Sequence, residues 1–200
     1  MKRLLLPIIA VLGFSFALIP EPLAIGADIP LADKKLITTS GTEVSLKDVM
    51  KKNGLLVMFS CNTCPVVIAN QERTNEISTY ALSKDIGVIL LNPNEAARSG
   101  SESLEAMKEY AAQQNYQWYY AVDKDNELAD AFGANRTPEI FLFNANGKLV
   151  YHGAIDDNPQ NPESVNRKHL KIAIDELVSG KKITMEKTRS IGCTIKRIKK

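Results

Sequence analysis

Cys61-Asn62-Thr63-Cys64-Pro65 directly follows the apolar run Leu55-Leu56-Val57-Met58-Phe59 and directly precedes a long helix-like segment, Val66 to Lys84. A short, continuous apolar run after the turn signal Asn53-Gly54 reads as a fully buried strand, Leu55 to Ser60. Two thiols separated by two residues at a strand-to-helix junction are placed for reversible disulfide chemistry. A helix N-terminus presents unpaired N–H groups and a partial positive charge. Both favour a thiolate over a thiol, and the thiolate is the nucleophile.

Working outward, Leu36-Ile37-Thr38-Thr39 and Glu43-Val44-Ser45-Leu46 flank Ser40-Gly41-Thr42 and predict a hairpin, with a short helix over Leu46 to Lys52. Ile86 to Leu91 is a second buried strand, ended by Asn92-Pro93-Asn94. Ser101 to Gln113 reads as a helix with Ser101 as N-cap and Leu104, Met107 and Ala111 on one stripe. A short strand over Trp118 to Val122 and a short helix over Asp125 to Phe132 follow, the latter stopped by Gly133. Ile140 to Phe143 and Leu149 to Tyr151 predict a second hairpin around Asn144 to Lys148. Ser164 to Ser179 is the last helix, ended by Gly180. Strands alternating with helices argue for an α/β layered domain on a central mixed sheet.

The 200 residues suggest one domain, and 44% hydrophobic with 24% charged residues is an ordinary globular balance. A formal net charge of +2 gives no field that points to nucleic acid. Lys2 and Arg3, the uncharged apolar stretch Leu4 to Ile19, and small residues ending at Ala24 or Ala27 have the layout of a secretory signal peptide, with cleavage placed after Ala27. That leaves residues 28–200 as the domain with its basic tail, and it implies export to a periplasm or similar compartment, where disulfides persist. The alternative is an uncleaved N-terminal membrane anchor. The stretch is shorter than the roughly 20 residues a span needs, and Pro7 interrupts it. Three cysteines are an odd count, so Cys193 is left over once Cys61 and Cys64 pair. Zinc takes four ligands, and only His152, His169 and Cys193 remain as further N or S donors, so no metal and no cofactor is expected.

Three features coincide: the Cys61-x-x-Cys64 pair at its junction, Thr137-Pro138 directly before the strand Ile140 to Phe143, and the strand-hairpin-helix ending. Here the chain resembles the thioredoxin superfamily, and within it the secreted thioredoxin-like or redoxin (peroxiredoxin-like) proteins with a Cys-x-x-Cys-Pro site. The markers are Phe59 to Pro65, Arg136-Thr137-Pro138-Glu139, Gly153-Ala154-Ile155-Asp156-Asp157 and Gly192-Cys193-Thr194-Ile195-Lys196. The resemblance implies a thioredoxin fold: a mixed sheet of about five strands with helices on both faces, preceded here by the hairpin. It implies that Cys61 attacks, that Cys64 resolves the mixed disulfide, and that Pro138 is a cis-proline facing the pair. Thr137 then offers its backbone to an extended substrate. The activity implied is thiol–disulfide exchange on disulfide-containing protein substrates, fed by an upstream thiol donor such as a membrane or periplasmic reductase.

The chain departs from that pattern in places. Thr63 stands where most such relatives carry His, which predicts weaker thiolate stabilisation and a more reducing site. Gly54 to Ser60 lacks the buried acid of thioredoxins, leaving Glu139, Asp156 or Asp157 as substitutes. Pro65 suits the first helical position and makes Cys64 the N-cap. Peroxiredoxins hold their peroxidatic cysteine there, in Pro-x-x-x-Thr-x-x-Cys; here Val57 and Cys61 replace the Pro and Thr. A thiol peroxidase with Cys64 or Cys61 as the reacting thiol is therefore the alternative activity, and a non-catalytic binding or assembly module the alternative class. Cys193 is either an inert thiol or a third redox cysteine taking the disulfide from Cys64. Arg136 is either a solvated loop residue or a stabiliser of an anion near Pro138. Asp156-Asp157-Asn158 is a solvated loop or a cation site.

Overall fold

The computed structural model of the chain describes residues 21–198. The elements in chain order are β1 (Leu36–Ile37), β2 (Glu43–Val44), α1 (Leu46–Val49), β3 (Gly54–Phe59), α2 (Pro65–Ala69), α3 (Gln71–Ser83), β4 (Ile86–Asn92) and α4 (Leu104–Gln113). They continue as β5 (Tyr119–Val122), α5 (Glu127–Phe132), β6 (Arg136–Thr137), β7 (Glu139–Phe143), β8 (Leu149–Gly153), α6 (His169–Val178) and β9 (Cys193–Thr194). Five strands form the central sheet in the order β5-β4-β3-β7-β8. β3, β4 and β5 run parallel, while β7 is antiparallel to both β3 and β8. β1 and β2 form the expected antiparallel hairpin.

Every residue of β3, β4 and β7 is buried, as their unbroken apolar runs require of strands covered on both faces. Side chains alternate across the pleat. Leu55, Val57 and Phe59 therefore enter one core with Leu46 and Val49 of α1 and Leu128, Ala129 and Phe132 of α5. Leu56 and Met58 enter the other core with Ile77 of α3, Met107 of α4 and Leu170, Ala173 and Ile174 of α6. Burial of that many large side chains, each worth roughly 1.5–3 kcal/mol, fixes the sheet and with it the loop after β3.

Five helices differ from the sequence expectation: α1 stops at Val49 rather than Lys52, α5 starts at Glu127 rather than Asp125, and three others differ in continuity or start. The helix after Pro65 is broken at Asn70 (φ −100°, ψ 4°). The Asn70 amide donates to the carbonyls of Val66 (2.7 Å) and Pro159 (2.9 Å), so a side chain competes for helix acceptors and ties the break to a distant loop. α4 starts two residues later than expected because Ser103, not Ser101, is its N-cap: the Ser103 hydroxyl accepts from the Ala106 N–H. The last helix begins at His169 rather than Ser164.

The leader pattern of residues 1–20 lies outside the described residues. Its expected end does not: the Leu23 N–H donates to the Phe132 carbonyl, Gly26 donates to Leu149, and Leu149 donates to Ala27. Leu23, Ile25 and Ile29 pack on the first core. No helix among the described residues is long and apolar enough to cross a membrane.

Candidate active site

β3 ends at Phe59, and the chain turns through Ser60 to Thr63 before α2 starts. Cys64 is the N-cap of α2 and Pro65 its first residue, as the missing proline N–H favours. On the other side of the sheet centre, β7 begins directly after the cis Thr137–Pro138 peptide. Glu139 of β7 is in register with Phe59 of β3, and this pairing sets Thr137 opposite the cysteine loop.

Thr137 is fully buried and meets all three cysteines. Its hydroxyl is hydrogen-bonded to Cys61 Sγ at 3.2 Å. Its carbonyl oxygen lies 3.3 Å from Cys64 Sγ. In the β6–β9 pair, Thr137 is the register partner of Cys193. Cys61, Cys64 and Val67 make a small buried cluster, with Val66 and Cys193 packed against it.

The bond formed is not the expected Cys61–Cys64 disulfide. Cys64 is bonded to Cys193, 129 residues away, and Cys61 is a free, buried thiol. Sequence spacing favours the near partner, whereas the antiparallel pairing of β9 on β6 delivers Cys193 to the Cys64 sulfur. Cys64, held by that disulfide, has no thiol proton, so its approach to the Thr137 carbonyl is a contact rather than a donated hydrogen bond. Cys61 is 1% exposed, and its thiol is pushed above the usual range, first by burial and further by the charge of Glu102. The hydrogen bond with Thr137 and the N–H groups of Cys64 and Thr63 act the other way.

Glu102 is the functional residue that sequence reasoning missed. It is 0% exposed, directly ahead of α4, and its side chain reaches under the cysteine loop. One oxygen accepts the Thr63 N–H (3.2 Å) and the Thr63 hydroxyl (2.6 Å). The other accepts the Asn62 N–H (2.9 Å) and the Asn92 amide (2.7 Å). Four donors around two oxygens are what a buried carboxylate requires. Tyr120 completes the network by donating to the Asn62 side-chain oxygen and accepting from Asn92. The only hint in the sequence is an acid beside a helix start, a position ordinarily left in water.

The acids expected to serve the thiols are used elsewhere. Glu139 accepts the N–H groups of Asn135 (2.8 Å) and Arg136 (3.0 Å) with one oxygen and pairs with His152 Nε2 (2.8 Å) through the other. It therefore shapes the turn that carries β6. Asp156 is buried in an ion pair with Arg73 at 2.7 Å, which accounts for its charge without a cation. Asp157 is exposed and accepts from Asn166. Arg136 is exposed and donates to the Gly192 carbonyl (3.2 Å), so it holds the C-terminal segment rather than facing an anion at Pro138.

The family model described as Redoxin matches residues 24–168. No curated protein matches the sequence. Among solved structures, a hypothetical protein from Sinorhizobium meliloti is 30% identical with a TM-score of 0.80, the match covering 89% of this chain and 97% of that one. A PrxQ mutant of Xylella fastidiosa shares the fold at 17% identity (TM-score 0.59, covering 80% and 98%). So does the thioredoxin domain of a thiol-disulfide oxidoreductase from Bacteroides vulgatus at 20% identity (TM-score 0.56, covering 70% and 94%). The family model covers most of the chain, and this chain, which has the thioredoxin-like fold, belongs to the Redoxin family.

Proposed function

We propose that this protein is an exported thiol–disulfide oxidoreductase acting on disulfides of other proteins, with Cys64 as the sulfur that bonds outward and Cys61 as the resolving thiol. The observation that carries the reading is the convergence of three sulfurs on Thr137, two of them joined in a disulfide and the third free beside them. The order of attack is the reverse of the one the family resemblance implies. Cys61 is buried with its thiol pushed up, which suits a late, intramolecular step. Cys64, at the N-cap, is the sulfur that has taken a remote partner.

In the reducing direction, the Cys64 thiolate attacks one sulfur of the substrate disulfide. The other substrate sulfur leaves as a thiolate and takes a proton from solvent. Cys61 then loses its proton and attacks Cys64 Sγ. The second substrate thiol leaves, two electrons have passed to the substrate, and a Cys61–Cys64 disulfide remains for an upstream thiol donor to reduce. Insulin reduction in the presence of dithiothreitol tests this: the protein is active, and Cys64→Ser and Cys61→Ser each remove the activity. Full activity in Cys64→Ser overturns the reading. Export rests on the pattern of residues 1–27, and the N-terminus of the protein recovered from its native host tests it.

One observation favours a second reading, a thiol peroxidase. Cys64 directly precedes Pro65 and is joined to a distant cysteine. A peroxide would oxidise the Cys64 thiolate to the sulfenic acid, releasing water or an alcohol. The Cys193 thiol would then condense with it, releasing water and leaving the Cys64–Cys193 bond. Peroxide consumption lost in both Cys64→Ser and Cys193→Ser, without insulin reduction, selects this reading over the first.

A further inference from the structure

The C-terminal segment lies across the cysteine site as an added strand. β9 runs antiparallel to β6, with Cys193 opposite Thr137 and Thr194 opposite Arg136. Main-chain and side-chain ties continue on both sides of the pair, the Arg136 tie running through its guanidinium. Arg136 donates to the Gly192 carbonyl, the Ile195 N–H donates to the Asn135 carbonyl (3.1 Å), and the Lys196 N–H donates to Asn94 Oδ1 (2.9 Å). The Ala96 N–H returns a bond to the Lys196 carbonyl (3.0 Å). Upstream, Thr188 is anchored separately, its N–H donating to His152 and its hydroxyl accepting from Ala154. The docked strap is therefore residues 189–197.

Three of its residues are read by the body besides the cysteine, and one of them, Arg197, pairs with Asp130 (3.0 Å) and donates to the Ala134 carbonyl (2.8 Å). Gly192 sits so close to β6 that a Cβ there would lie 2.3 Å from the Thr137 carbonyl oxygen. Ile195 is 4% exposed and belongs to the core cluster that holds Phe59 and Phe132. The rest of the recognition is backbone, which is how an extended peptide adds to a free strand edge.

On the thiol–disulfide reading, which with the family resemblance assigns the β6 edge to substrate, we propose that residues 189–197 occupy that edge as a tethered stand-in for the substrate polypeptide. The external partner is then an extended segment with glycine before its cysteine and an apolar residue two positions after it. The Cys64–Cys193 bond stands where the bond between enzyme and substrate forms. It arises without net oxidation: the Cys193 thiolate attacks Cys64 Sγ of the Cys61–Cys64 disulfide, and Cys61 leaves as a thiolate and is protonated. Tethering gives the strap a high effective concentration, so an outside segment competes only when the strap lifts.

The test uses the full chain carrying Cys61→Ser and Cys193→Ser, which leaves Cys64 as its one thiol. The probe is the disulfide-linked dimer of the peptide Arg-Ser-Ile-Gly-Cys-Thr-Ile-Lys-Arg, a copy of residues 189–197. Its control is a permuted peptide of the same composition. Capture on Cys64 is timed by mass spectrometry with and without Gly192→Val, which pushes the strap off β6. The expected result is capture of the native-order peptide accelerated about tenfold, equivalent to roughly 1.4 kcal/mol, with the permuted peptide little changed. Ile195→Asp, which expels the strap's apolar anchor, is expected to give the same pattern. Equal acceleration of both peptides, or of neither, overturns the proposal, because the strap is then a cover and not an occupant of a recognition edge. Capture of neither peptide and no reduction of insulin by the unmodified chain defeats the thiol–disulfide reading itself, and the proposal with it.

Discussion

Glu102 sets the chemistry of the cysteine loop more directly than any other charged residue. It takes the Asn62 N–H, shares the Thr63 N–H that also acts on Cys61, and its charge acts on Cys61. Burial is the larger cause of the raised Cys61 thiol, and Glu102 adds to it. A raised thiol means a smaller thiolate fraction at neutral pH, so the resolving step should quicken as pH climbs into the thiol's own range. Glu102→Gln removes the charge and should move Cys61 ionisation toward lower pH. Ultraviolet thiolate absorbance in a Cys64→Ser/Cys193→Ser background checks this, and a shift the other way contradicts it. The same change should cost about 1–3 kcal/mol, because an amide cannot accept from all four donors. Thr63 is exposed and donates to Glu102. Thr63→His places a potential cation there and should raise the reduction potential, read against a glutathione buffer; an unchanged potential contradicts the account. Cys61, Cys64, Thr137 and Pro138 could be singled out from the sequence as candidates because their types and local setting suit the chemistry, and the structure brings Cys61 and Cys64 against Thr137. Glu102 was not, since burial of an acid ahead of a helix is decided by which loop lands on it.

At the scale of elements, β3, β4 and β7 were legible because a strand buried on both faces is written as an unbroken apolar run. Boundaries were less so. Asn70 breaks α2 from α3 through a bond to Pro159, a partner that only the folded chain supplies. The start of α5 shows the same dependence. Asp123, fully buried, accepts the N–H groups of Leu128 (2.9 Å) and Ala129 (2.8 Å), donors left open at the helix start. Asp123→Ala should cost about 2 kcal/mol by denaturant unfolding, with fold and cysteine chemistry retained. Burial pushes the Asp123 carboxyl up to about 6, against which the two N–H bonds act. The folded chain thus holds a proton that the unfolded chain has released. The stability due to this proton is full below an ordinary carboxyl pKa of 3.8 and is lost as pH rises to about 6. The alanine variant should lack that slope; a slope of equal size in the variant contradicts the assignment.

Over the whole molecule, the sheet order β5-β4-β3-β7-β8 brings the ends of β3 and β7 together at its centre and leaves β6 as an edge beside the cysteines. The C-terminal segment covers that edge. Its sequence reads as a solvated basic tail around a leftover cysteine, because nothing local records that Gly192 fits against Thr137 or that Ile195 enters a core. The docking of the strap on the body is therefore invisible to composition and periodicity alone. A bond joining residues 129 apart closes a long loop in the unfolded chain. Its reduction should lower stability by about 4–5 kcal/mol on the chain-entropy estimate, measured by denaturant unfolding of Cys61→Ser with and without reductant. Identical midpoints would show that Cys193 does not staple the fold.

The central claim is that Cys64 exchanges its partner while Cys61 waits beside it. The most direct measurement compares the covalent complexes that reduced Cys61→Ser/Cys193→Ser and Cys64→Ser/Cys193→Ser form with insulin, Cys193 being removed from both because it would release a partner bonded to Cys64. The account predicts an insulin chain bonded to Cys64. An insulin chain found on Cys61 alone, or no complex while the unmodified protein reduces insulin, contradicts it.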